Sequence, residues 1–171
     1  RHQHLVTLAK AHFITQNEAY KQEVIHQLDS WFACNPYLQG VNWASSLELA
    51  LRLISWSWTW SFLGTTDTAF SQRWLDSIYK HCVYISANFS RFSSANNHLI
   101  GEAAGLFIAS TFWNLGNEAE SWQRKSYAIL LAEIEKQVYS DGVLKEQTVH
   151  YQQFVLDLFF LAALVGEKNG L

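Results

Sequence analysis

An all-α fold built from antiparallel helix hairpins is what this sequence predicts, on three observations. Apolar residues recur at i, i+3, i+4 spacing along most of the chain. The 171 residues include only one Pro and eight Gly, few enough to leave long helices unbroken. Short polar clusters separate the periodic segments, as turns between helices do. A chain of this length holds one domain, or part of a larger one, around a real core. Hydrophobic residues make up 49% and aromatics 15%, with eight Trp, so a packed core and rings lining a ligand cleft are both expected.

Seven helices follow from the pattern. The first covers about 2–14, with Leu5, Leu8, Ala9 and His12 on one face. The second covers about 18–33, with Tyr20, Val24, Leu28 and Trp31 in line, and Asn35-Pro36 ends it because the proline ring disfavours helix in the residue before it. Ser45-x-x-Glu48 reads as a capping box opening a third helix that runs to about 62. That helix is apolar nearly all round, which predicts neighbours on several sides.

The fourth helix, about 67–89, aligns Phe70, Trp74, Ile78, Cys82 and Ile85. The fifth, about 97–113, aligns Ile100, Ala103, Ala104, Phe107 and Thr111. The sixth spans about 119–139. The seventh spans about 149–165, with Tyr151, Phe154, Val155, Leu158, Phe159 and Ala162 on its apolar face. Between the last two, residues 143–147 could form a short extended piece. Consecutive helices with short connections can stack as a solenoid, close as a toroid or form a bundle. The absence of a strict repeat period argues against a standard superhelical array.

Composition excludes some functions. A net charge of −3 does not suit a nucleic-acid binder, which shows a basic face. Cys34 and Cys82 each fall within an apolar helix face and are expected as buried free thiols. The apolar run 156–165 is too short to span a membrane, so no membrane partner is expected. No targeting segment is present, but the chain opens in mid-pattern at Arg1, lacks Met and stops just after a helix, so it reads as an excised part of a longer protein. The histidines show no His-x-x-x-His spacing and the cysteines no Cys-x-x-Cys, so no metal or other cofactor is expected within it.

Three polar clusters sit where helices begin. The first is Asn35-Pro36 through Asn42-Trp43, leading into Glu48 and Arg52; the second is Ser93–His98; the third is Asp141-Gly142 through Glu146-Gln147-Thr148-Val149-His150-Tyr151. If hairpins alternate in direction, the starts of the third, fifth and seventh helices share one rim. On helical grounds alone, Asn96-Asn97 also suits a plain cap, and Glu102 and Glu146 stand where the helix dipole favours acids. Tyr151 on an apolar face also suits the core. Arg52 needs a partner if buried, and Glu48 one turn earlier is the obvious one.

This ordered set resembles the heparinase II/III-like polysaccharide lyases. The matching elements are Arg1-His2-Gln3-His4, then Asn-Pro and Asn-Trp before a helix with Glu and Arg, then Asn96-Asn97-His98, Asp141-Gly142 and Glu146-Gln147-Thr148-x-x-Tyr151. The resemblance spans nearly the whole chain. It implies an (α/α) toroid, of which residues 1–171 would be a part, forming one wall of a cleft. It also implies a following β-sandwich domain, absent from these residues, that supplies further catalytic groups and often a structural metal.

The reaction it implies is β-elimination at a uronic acid. That chemistry needs the carboxylate neutralised, the C5 proton removed and the departing glycosidic oxygen protonated. By position, Asn97 would hold the carboxylate, His98 would donate to it or serve as base, and Tyr151 would move the protons. Asn42, Trp43 as a sugar-stacking ring, Arg52, Glu146, Gln147 and His150 would bind the glycan, an acidic polysaccharide. A degradative parent would be periplasmic or secreted, and the helical part alone is expected to be inactive. The family commonly carries His after this Tyr, whereas Gln152 stands here, which bears on the tuning of Tyr151 and motivates a rival reading as a glycan-binding or scaffold domain. A glycoside hydrolase would need two opposed carboxylates, for which Asp141 and Glu146 are the available pair. A plain protein-interaction array leaves the three clusters unexplained.

Overall fold

The computed structural model of the chain describes residues 1–92 and 95–171; Ser93 and Ser94, at the head of the second polar cluster, lie outside the described residues. Among the described residues the helices are α1 (Gln3–Thr15), α2 (Glu18–Cys34), α3 (Ser46–Leu63), α4 (Thr68–Ala87), α5 (Asn97–Phe112), α6 (Glu118–Gln137) and α7 (Val149–Lys168), with a 3-10 turn at Val41–Trp43. Each falls where its periodicity places it. The extended piece expected at 143–147 is reduced to a single antiparallel bridge, Val138 with Leu144.

Local chemistry sets the helix starts. The side chains of Asn17, Asp67 and Asn96 accept from the backbone N–H of Ala19, Phe70 and His98 and so cap α2, α4 and α5. The capping box at Ser45 does not form. Ser45 makes no side-chain cap, and Glu48 instead grips Arg1, with the Nη2–Oε1 contact at 2.8 Å. Neighbouring Ser46 donates its hydroxyl to the Asn88 carbonyl and ties the start of α3 to the end of α4.

The helices form two layers. Helices α1, α3, α5 and α7 pack side by side, while α2, α4 and α6 lie outside them. The inner helices run in the same sense. His2 and Phe13 of the first meet Trp56 and Phe62 of the second. A Cβ at Gly101 would touch Leu47 and Leu158, and one at Gly166 would touch Phe107. All four N-terminal ends therefore lie at one rim. Helix α3, covered by α1, α4 and α5, is buried on nearly every face, as its apolar composition requires. Cys82 is buried as expected, but Cys34 is exposed, because it stands in the last turn of α2, beyond the stripe that ends at Leu28.

Helix α7 is longer than the 156–165 run suggested. Its 20 residues make it, by length and composition, long and apolar enough to cross a membrane. The seven-residue start from Val149 to Val155 and the end at Lys168 account for the difference. It packs on α5 through Val155, Leu158, Ala162 and Gly166. Its other face, with Leu156 and Phe160, joins Tyr127, Leu131 and Ile134 of α6 in lining an open apolar cavity of ≈ 480 Å³.

The approach of α3 to α5 rests on two glycines. A Cβ at Gly105 would stand 2.6 Å from the Ala50 Cβ and 2.7 Å from its Cα and carbonyl oxygen. Backbone cannot yield there, so Gly105→Ala is expected to destabilise by about 1–3 kcal/mol, outweighing the gain in helix propensity. At Gly101 the sub-3 Å contact is with Leu47 Cδ1, at 2.4 Å, the movable end of a side chain. Gly101→Ala should cost clearly less. Denaturant midpoints for the two variants check this, and equal midpoints would contradict the close approach.

Candidate active site

The loop between α6 and α7 is built to be rigid. The Tyr139 N–H donates to the Val143 carbonyl and the Lys145 N–H to the Gln137 carbonyl, both at 2.8 Å. Asp141 closes the turn by accepting from the Val143 N–H, and Gly142 takes a positive φ of 88° there. Leu144 is buried beneath. Gln152, in the first turn of α7, grips the loop at two points: its Oε1 accepts from the Leu144 N–H at 2.6 Å, and its Nε2 donates to the Gly142 carbonyl at 3.2 Å.

This loop delivers Glu146 to the start of α5. Glu146 Oε1 accepts from both the backbone N–H and the Nδ2 of Asn97 at 3.0 Å, and Oε2 accepts from the same Nδ2 at 2.8 Å. The two asparagines thus divide the work. Asn96 caps the helix, while Asn97, only 5% exposed, faces Glu146. Beneath them Gln137 Nε2 donates to the Asn96 carbonyl at 3.2 Å and to buried Glu133 at 2.6 Å. On the other side, Ser90 donates its N–H and hydroxyl to buried Glu102, so Glu102 anchors the loop before α5 as well as standing near its dipole. Burial raises the Glu102 carboxyl above its ordinary value.

Tyr151 stands in the first turn of α7 at this rim and is 47% exposed, which corrects its expected place on the core-facing stripe. Its hydroxyl makes no hydrogen bond among the described residues. His98, Gln147 and His150 are exposed as well, with Gln147 at a positive φ of 54° in the turn before α7. Second and third clusters therefore meet, through Asn97 and Glu146. Both carboxylates offered for a hydrolase are engaged, Asp141 in its turn and Glu146 on Asn97.

The first cluster is placed differently from expectation. Trp43 is 4% exposed, so it is no sugar-stacking surface. Its ring packs against Tyr37 and His81, with centroids at 5.0 and 4.6 Å, and its Nε1 donates to the Asn35 carbonyl. Arg52, 2% exposed, is likewise unavailable to a glycan. Its guanidinium lies over the Trp31 ring and donates to His81 Nε2 and to the Asn42 carbonyl. Asn42 in turn spends its amide on Asn35. Glu48, the expected partner of Arg52, is held by Arg1, whose hydrogen bonds keep its carboxyl below the usual range. Burial lowers Arg52 to about 10, well short of discharging it at neutral pH.

Sequence reasoning missed several polar residues that hold these parts. His81 is fully buried, its Nδ1 donating to the Ser77 carbonyl and its Nε2 accepting from Arg52. His2 accepts from Trp56 Nε1 at 2.9 Å. Gln152, Glu133 and Gln137 are the others. One signal was available: an arginine on a crowded apolar helix demands a nearby acceptor, and His81 lies beside the buried stripe of α4. Among the described residues no group of three or more His, Cys, Asp or Glu side chains could hold a metal ion.

The same fold and sequence pattern recur in known proteins. A heparin-sulfate lyase of Bacteroides thetaiotaomicron is 29% identical over 177 residues, covering 100% of this chain and 25% of its own length. One from Pedobacter heparinus is 27% identical, covering 91% of this chain and 24% of its own length. This chain thus spans about a quarter of these curated relatives. Among solved structures, a heparinase III with methylated lysines superposes with a TM-score of 0.80 at 26% identity, over 99% of this chain and 30% of that one. The fold of the heparan sulfate lyase of Pedobacter heparinus matches at a TM-score of 0.79 and 24% identity, over 98% of this chain and 27% of that one. The helices accordingly form part of an (α/α) toroid, and with residues 1–171 matching the family model described as the heparinase II/III N-terminus, the chain belongs to that family.

Proposed function

We propose that the full-length protein is a polysaccharide lyase that cleaves a uronate-containing glycan of the heparan sulfate class by β-elimination, with Asn97, His98 and Tyr151 supplied by this chain. The observation that carries the reading is the junction of Asn97 with the loop that leads into Tyr151, which sets an amide donor and a solvent-facing phenol on one rim. Family membership and relatives named heparin-sulfate lyases support the reaction and the substrate class.

In this mechanism the Asn97 amide, with His98 as a second donor, neutralises the uronate carboxylate, so that negative charge can spread into it as the C5–H bond breaks. The C5 proton goes to a base, the electron pair forms the C4–C5 double bond, and the C4–O bond breaks. Tyr151 delivers a proton to the departing oxygen. The products are a 4,5-unsaturated uronate and a saturated chain end. His150 and Gln147 border the site as glycan contacts.

A panel of uronate polysaccharides incubated with the full-length protein tests this. Ultraviolet absorbance from the unsaturated product is expected with heparan sulfate. A saturated product carrying solvent oxygen would establish hydrolysis instead, and binding without any product would make the domain a glycan-binding scaffold.

A further inference from the structure

We infer that Glu146 and Gln152 are positioning residues for the proposed lyase reaction: Glu146 orients the Asn97 carboxamide, and Gln152 clamps the loop that carries Glu146. The inference rests on the assignment of Asn97 to the uronate carboxylate and goes beyond it.

A terminal amide has two nearly equivalent flips, one presenting nitrogen and one presenting oxygen. An ionised carboxylate is acceptor-only, so Glu146 selects the flip that turns Nδ2 toward itself. Its two oxygens subtend too narrow an angle at Nδ2 to engage both N–H bonds fully. One N–H is therefore held by Glu146, which fixes the direction of the other, and that second N–H is the one we assign to the uronate carboxylate. The backbone N–H of Asn97 is held by the same oxygen, which removes a second degree of freedom.

Two other roles for Glu146 fit less well. As a sugar contact it would have to turn an oxygen to the glycan, yet both oxygens are directed at Asn97. As a place-holder that swings aside for the substrate, it would have to give up three hydrogen bonds to Asn97, one of them from the backbone N–H. Its loop is also pinned by the Val138–Leu144 bridge, by the Gln147 N–H on the Leu144 carbonyl, and by both ends of the Gln152 amide. Gln152 directs both ends of its amide to the loop backbone rather than to the Tyr151 phenol.

The test is steady-state kinetics of the full-length protein on heparan sulfate, with melting curves for each variant. Asn97→Ala is expected to lower kcat by about 10²–10³-fold. Glu146→Gln, which sets an amide against an amide, should lower kcat on the order of 10- to 100-fold with KM within about twofold. Added to Asn97→Ala it should have no further effect, because it acts only through that residue. Gln152→Ala should lower kcat in the same sense, more weakly, and keeps the test open if Glu146→Gln does not fold. A raised KM at unchanged kcat for Glu146→Gln, an additive double variant, or normal kcat in Gln152→Ala would overturn the inference. Normal turnover in Asn97→Ala would instead overturn the assignment on which it rests.

Discussion

Tyr151→Phe in the full-length protein is expected to lower kcat by about 10³-fold while moving the melting temperature by no more than about 2 °C. Both halves follow from its setting. The ring is half exposed and its hydroxyl makes no hydrogen bond among the described residues, so losing one oxygen leaves no buried partner stranded. A phenol in the core would behave otherwise, since its deletion orphans whatever it bonds. The catalytic half rests on proton transfer: phenylalanine keeps the ring and its contacts but has no proton to give. The measurement is single-turnover formation of unsaturated product beside a thermal melt. Turnover near that of the unmodified protein would remove Tyr151 from the mechanism, and an unfolded variant would return it to the core.

The helices were legible because burial on one face writes a 3.6-residue period into sequence, and α4 shows it plainly: Phe70, Trp74, Ile78, Cys82 and Ile85 are all buried. The rim was legible for a related reason, since inner helices running in one sense must begin at one end. Which polar residue meets which was not. Glu48 is one turn from Arg52, but spacing along a helix only permits a pair, and Arg1, just before α1, took it. Trp43 at a loop–helix junction looked available to sugar because local sequence does not reveal the His81 and Tyr37 rings that cover it. Gln152 looked like a defect beside Tyr151 until the fold showed the loop it holds. Tyr151 itself lies on the apolar stripe by periodicity, yet α5 starts too late to cover the first turn of α7.

Acid should destabilise this fold before its carboxylates titrate, and His81 is the reason. Burial, then the nearby Arg52 charge, pushes His81 well below its ordinary value of 6.5, and His2 falls to about 3, mainly through burial. A folded-state value below the unfolded one means the unfolded chain takes up the proton first. Stability from His81 is therefore complete above about pH 6.5 and drains as pH falls below it, at about 1.4 kcal/mol per pH unit per proton. Glu48, lowered by Arg1, loses its contribution only below the usual carboxylate value of 4.5. Glu102, raised by burial, works in the opposite direction, because its folded form protonates first and gains as pH falls. His81→Gln isolates the histidine: it keeps an acceptor for Arg52 but takes up no proton, and leaves Glu48, Glu102 and His2 in place. Denaturant unfolding of both proteins between pH 7 and 5 should show curves that converge as pH falls, the unmodified protein losing stability faster. Parallel curves would mean that His81 takes up its proton at the same pH in the folded and unfolded states, and that burial against Arg52 does not hold it neutral.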